Sequence, residues 1–112
     1  MTTVTIGIAK RDDTKARMRR AFQGKAQGAF IVFASPELLW KVITPKRWDV
    51  LRTMTGAGPL AIREVARRVG RDVKSVHGDI QALVKAGVLD RSDKGVEFPY
   101  DAVHVDFVLR AA

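Results

Sequence analysis

Five residues between positions 71 and 78 have the types and spacing that can contact base edges in duplex DNA. They are Arg71, Lys74, Ser75, His77 and Gly78. Lys74 can donate to the O6 and N7 atoms of guanine, and the Ser75 and His77 side chains can donate or accept. Gly78 has no side chain, so a helix backbone could approach the groove closely there. We predict base contacts in the major groove, with an ordinary solvated helix face as the alternative.

A second set of cations is suited to phosphate contacts, which fix the register of a protein on DNA but carry no sequence information. This set consists of Lys46, Arg47, Arg63, Arg67 and Arg68. Two further cations, Arg91 and Lys94, lie in a predicted hairpin, from which they could reach the adjacent minor groove or its phosphates.

Two helices joined by a tight turn are predicted to position these side chains. Apolar residues at helical spacing over 62–69 predict the first helix, and Gly70 is suited to the left-handed residue that ends it. Asp72 is suited to cap the second helix, which ends near Gly87. The predicted inner face of that second helix consists of Val73, Val76, Ile80, Leu83 and Val84.

The flanking segments complete the pattern of a winged helix-turn-helix. Ser35-Pro36 and Thr44-Pro45 each predict a helix start, giving helices over 36–43 and 45–55, with Trp48, Leu51 and Met54 as the buried stripe of the second. Residues 88–98 predict a β-hairpin with a glycine at its tip. We therefore predict an α+β fold with a three-helix core, a hairpin wing, and strands at both termini.

The terminal segments predict strands over 2–9, 30–33 and 102–109, and a helix over 12–23. The two terminal strands could pair with each other, with 30–33, or with a second copy of the chain. Because unpaired edge strands favour association, we predict a homodimer. We interpret 1–35 as a basic dimerisation extension, 36–99 as the DNA-binding domain, and 100–112 as a strand that packs on the extension or the dimer partner.

The charge of the chain indicates a polyanionic partner. The net charge of +8 is concentrated in 1–35 and 45–95, whereas 96–112 is mildly acidic. The two histidines lie far apart, there is no cysteine, and no glycine-rich phosphate loop is present. We therefore predict no enzymatic activity, no metal site and no cofactor. The absence of a signal pattern or a long apolar run predicts a cytoplasmic protein with no membrane partner.

The segments 44–52, 62–83 and 98–107 resemble a group of small prokaryotic proteins that are usually labelled MarR-like winged-helix DNA-binding regulators, some of which lie beside toxin genes and are labelled antitoxins on that ground. The resemblance of the winged-helix part covers about 44–98. It implies a dimeric cytoplasmic transcriptional regulator that contacts DNA through positions 71–78 and the wing. A basic residue is usual in that group at the position of Gly78, so this chain departs from the pattern there.

The sequence predicts a transcriptional regulator that binds double-stranded DNA and acts by occupying its operator as a homodimer. One alternative is an antitoxin that binds both its promoter and a toxin protein. Another is a winged-helix module that binds proteins and no nucleic acid, because the fold does not decide between these functions.

Overall fold

The computed structural model describes residues 2–8 and 28–107, and over these ranges the chain is an α+β protein, as predicted. Its helices are α1 (Pro36–Val42), α2 (Pro45–Met54), α3 (Ile62–Val69) and α4 (Val73–Lys85). Its strands are β1 (Thr3–Ile8), β2 (Gly28–Phe33), β3 (Asp90–Ser92), β4 (Gly95–Glu97) and β5 (Ala102–Asp106). The helix predicted over 12–23 and the end of the last predicted strand lie outside the described residues.

Strands β1, β2 and β5 form a parallel sheet in the order β2-β1-β5. The sequence left open whether the N-terminal strand pairs with the C-terminal strand, with 30–33 or with a second copy of the chain. In the structure β1 pairs with both β5 and β2. Its Val4 and Ile6 side chains are fully buried against the helices. Strand β1 is therefore the centre of the sheet, and β2 and β5 form its edges.

Helices α1 and α2 begin as predicted at their two Ser/Thr-Pro pairs. The Ser35 Oγ accepts a hydrogen bond from the Leu38 N–H at 3.1 Å, and the Thr44 Oγ1 accepts from the Arg47 N–H at 3.3 Å. Proline follows each cap, where its missing N–H costs nothing. Within α2, Leu51 and Met54 are buried as predicted, whereas Trp48 is only half-buried.

The turn between α3 and α4 has the predicted geometry. Gly70 has a φ of 72°, and its N–H donates to the Ala66 carbonyl at 3.0 Å. The Asp72 carboxylate then accepts from the Ser75 N–H at 2.9 Å, which caps α4. The left-handed glycine ends one helix and the aspartate starts the next within three residues, so the two helices are held at a fixed angle.

Helix α4 buries Val76, Ile80 and Leu83 completely, as predicted. The prediction that Val73 belongs to this inner face is wrong, because its side chain is 45% exposed. Val73 is the first residue of α4, and helical side chains lean toward the N-terminus of their helix. Its side chain therefore extends past the helix end instead of into the core. Val84 is half-buried at the border of the inner face.

The hairpin is shorter than predicted. Only 90–92 and 95–97 pair as strands, whereas Val88, Leu89 and Phe98 are buried in the core beside them. The inner strand β4 is also joined to the segment before α3, because Leu60 and Val96 exchange two backbone hydrogen bonds of 2.8 Å. The hairpin is thus anchored on the helical core through β4, while β3 is exposed.

We expect that replacing glycine by alanine lowers stability at Gly95 and raises it at Gly78. Gly95 has a φ of +127°, and an added Cβ would fall onto the Leu60 carbonyl oxygen, so Gly95→Ala should push β4 off the core. Gly78 lies within α4 with open space around it. In urea unfolding, Gly95→Ala should lose more than about 1 kcal/mol and Gly78→Ala should gain about 1 kcal/mol. A Gly95→Ala variant of unchanged stability would contradict the close contact with Leu60.

Candidate nucleic-acid interface

The outer face of α4 carries four of the five residues that were predicted to contact bases. Lys74, Gly78 and Gln81 follow one another at helical spacing on the side opposite Val76 and Ile80, and all three are exposed. Ser75 and His77 are exposed on the two flanks of this stripe. The caps and the buried seam thus fix a polar, solvated helix face with Gly78 at its centre.

The fifth residue, Arg71, lies in a different environment. Its Nη2 donates to the Oδ2 of Asp79 at 2.8 Å, and the Oδ1 of the same carboxylate accepts from the Nε of Arg47 at 3.1 Å. The Nη1 of Arg47 also donates to the Val42 carbonyl at the end of α1, at 3.0 Å. Asp79 therefore links the end of α1, the start of α2, and the turn before α4.

The three side chains of this cluster are largely withdrawn from water. Their exposed fractions are 23% for Arg47, 22% for Arg71 and 17% for Asp79. Two guanidiniums share one carboxylate, so the cluster retains a net positive charge. The Nη1 of Arg71 is buried and has no hydrogen-bond partner in the described part of the chain. Arg71 and Arg47 therefore orient α4, and are less free for the base and phosphate contacts predicted from the sequence.

The arginines of α3 share a carboxylate in the same way. The Glu64 side chain accepts from Arg67 at 2.6 and 2.7 Å and from Arg68 at 2.9 Å. These hydrogen bonds, that from Arg67 first, lower the pKa of Glu64 to about 2. The carboxylate thus stays ionised at any physiological pH and offsets one of the two positive charges. Arg63 is exposed and makes no ion pair with a described residue.

Every acidic side chain between 62 and 85 is engaged with a neighbour. Glu64 pairs with arginines of its own helix, and Asp79 pairs with Arg47 and Arg71. Asp72 caps α4, and the hydrogen bond from the Ser75 N–H is the main reason that its pKa lies below the ordinary value. None of these three carboxylates lies on the exposed stripe of Lys74, Gly78 and Gln81.

The remaining predicted contacts lie outside α3 and α4. Lys46 is exposed beside Arg47 in the first turn of α2. Arg91 and Lys94 are exposed on the hairpin, but the hairpin also carries Asp90, Asp93 and Glu97, so it has no positive excess. The hairpin therefore contributes less to the electrostatic attraction of a polyanion than the helices do.

Asp79 was not among the predicted site residues, although its contact with Arg71 has a sequence signal. Arg71 and Asp79 are eight residues apart on either side of a helix start, and Asp79 lies on the flank of the predicted inner face. The contact with Arg47 crosses 32 positions of sequence and has no comparable signal. Only the packing of α2 against α4 brings these two side chains together.

Two other classes of site find no support in the part of the chain that the structure describes. Residues 2–8 and 28–107 contain no group of three or more His, Cys, Asp or Glu side chains that could hold a metal ion. None of the helices in these ranges is both long enough and apolar enough to cross a membrane.

We expect the Asp79 carboxylate to stabilise the fold through both arginines. Asp79→Ala leaves two partly buried guanidiniums without their shared acceptor, so urea unfolding should show a loss of about 1–3 kcal/mol. Asp49→Ala removes an exposed carboxylate from α2 and is the matched control, with an expected change within about 0.5 kcal/mol. Equal stability of the two variants would show that the Asp79 ion pairs contribute nothing.

The comparison with known proteins gives a family and no function. No curated protein matches the chain. The model of the HVO_A0114 family matches residues 42–105, which is more than half of the chain and includes α2, α3, α4 and the hairpin. The chain therefore belongs to the HVO_A0114 family.

Proposed function

We propose that the protein is a winged helix-turn-helix regulator that binds double-stranded DNA through α4 and occupies an operator. The order of α2, α3, the tight turn, α4 and the hairpin is that of a winged helix-turn-helix. The MarR-like resemblance of the sequence supports the same assignment. The observation that carries the proposal is that the exposed stripe of α4 bears a lysine and no carboxylate.

Electrostatics favours a polyanion at this surface. The segment 62–85 holds six Lys/Arg against three Asp/Glu, and all three acids are engaged by neighbouring groups. The chain as a whole has a net charge of +8. Approach to DNA would therefore be attractive, and no carboxylate on the outer stripe of α4 would have to be desolvated against a phosphate.

The contacts divide into base and phosphate groups. Lys74, Ser75 and His77 would meet base edges from the first turns of α4, and Gly78 would let the helix lie close to the groove. Lys46 and Arg63 are exposed and suited to phosphates, whereas Arg67 and Arg68 would have to share their charge with Glu64.

The proposal includes a homodimer. In the described part of the chain, the outer edges of β2 and β5 have no strand partner, and a second copy could pair with either edge. A two-fold dimer would present two α4 helices to two half-sites, about one helical turn of DNA apart. The structure removes β1 from this argument, because β1 is the central strand.

We expect Lys74→Gln to weaken binding to the protein's own promoter at least about fivefold, because a good base contact contributes about 1–3 kcal/mol of discrimination. Fluorescence anisotropy with the promoter duplex and a scrambled duplex, across a salt series, measures both affinity and preference. With about six phosphates contacted, affinity should fall on the order of a thousandfold between about 50 and 200 mM salt.

The matched control is Lys85→Gln, which removes the same charge three turns further along α4. It should leave the preference for the promoter duplex unchanged. This pair is better suited than charge reversal at Arg71, which would place a carboxylate beside Asp79 and disturb the fold. Weak binding to both duplexes that neither substitution alters would reject the proposal and favour the protein-binding alternatives.

We expect Glu64→Gln to strengthen DNA binding, because it releases Arg67 and Arg68 from their shared carboxylate. The affinity should rise about threefold, and the salt dependence should steepen by up to one released counterion. Glu37→Gln on α1 makes the same change in net charge away from α3 and α4 and serves as the control. An equal gain from both variants would mean that only the total charge matters.

A further inference from the structure

An apolar cavity of about 440 Å³ lies between the parallel sheet and helices α1 and α2. Ile6 of β1 and Leu39 of α1 form its floor, and both are almost completely buried. Trp40 and Trp48 line its sides, and Val105 of the edge strand β5 lies at its mouth. The volume lies in the range of ordinary small-molecule sites, which is about 300–1,000 Å³.

The lining of this cavity offers no ion pair to a charged ligand. None of its lining residues is ionisable, and its hydroxyl group, the Thr44 Oγ1, already accepts the Arg47 N–H that caps α2. An anionic ligand would lose its hydration here without gaining an ion pair. A neutral apolar ligand would instead bury its own surface and that of the exposed Trp40 and Val105 side chains.

The two indole rings narrow the class of ligand further. Aromatic side chains bind flat rings through stacked or edge-to-face contacts. Trp40 already makes an edge contact with Phe107, with ring centroids 6.1 Å apart and planes at 74°, so one side of its ring is fixed. We propose that this cavity is a binding site for a neutral, planar aromatic molecule of fused or linked rings. This inference does not depend on DNA binding.

Tryptophan fluorescence can measure ligand binding at this cavity. Trp40 and Trp48 are the only tryptophans of the chain, and both line the cavity, so tryptophan emission reports on this site alone. The probe is N-phenyl-1-naphthylamine, a neutral fluorescent two-part aromatic molecule that accepts energy from excited tryptophan. Titration of the full chain should show saturable binding of one probe per protein, with quenched tryptophan emission and sensitised probe emission.

Two valines on the edge strands provide a matched pair of variants. Val105 is 41% exposed and Val32 is 39% exposed. Val105 pairs with Ile6 and Val32 pairs with Gly7, so the two side chains lie on opposite faces of the sheet. Val105→Arg places a charge at the mouth of the cavity and should weaken probe binding at least about tenfold. Val32→Arg should change it less than about twofold.

Two results would overturn the proposal. Equal loss with both variants, or binding that never saturates, would mean that the probe binds exposed apolar surface in general. If sedimentation shows that Val105→Arg converts a dimer to a monomer, and added probe also dissociates the dimer, the cavity is a contact between copies of the chain. Circular dichroism and thermal unfolding of both variants establish that each is folded, since both substituted side chains are exposed.

Discussion

The Asp79 carboxylate lies between two guanidiniums, and each of its oxygens accepts from a different one. Through Arg47 it holds the start of α2, and through the Arg47 contact with Val42 it also holds the end of α1. Through Arg71 it holds the turn before α4. Apolar burial supplies most of the driving force for folding, but it is not directional. Charge-assisted hydrogen bonds are directional, so this cluster fixes how α4 lies against the other helices.

The pairing of acids with neighbouring groups also determines the charge of the exposed surface. In a chain with a net charge of +8, an acid that pairs with a cation or caps a helix leaves no separate negative charge exposed on the surface. In α3, in α4 and in the turn between them, each acid is engaged in this way. Glu64 pairs with arginines of α3, Asp72 caps α4, and Asp79 binds two arginines. The cost is that four arginines are partly neutralised. Lysines and Arg63, which lack such partners in the described part of the chain, retain their full charge.

Local signals predicted the helices well, because the information lies within a few residues of each helix end. The caps at Ser35, Thr44 and Asp72 and the left-handed Gly70 are such signals. The sheet order was not predictable, since parallel pairing of β1 with β2 and β5 depends on contacts between distant segments. The Arg47–Asp79 pair failed to emerge for the same reason. A count of cations on a helix cannot tell a solvated arginine from one that is held by a distant carboxylate.

Helix α2 connects the apolar cavity with α4, the helix that carries the proposed DNA contacts. Trp48 lines the cavity, and the preceding residue Arg47 donates to Asp79 of α4. A helix moves nearly as a rigid unit, so a ligand that displaces Trp48 also displaces the base of the Arg47 side chain. Hydrogen bonds weaken steeply outside a narrow range of distance and angle. A ligand that shifts α2 at Trp48 would therefore strain the hydrogen bond between Arg47 and Asp79, through which α2 holds α4.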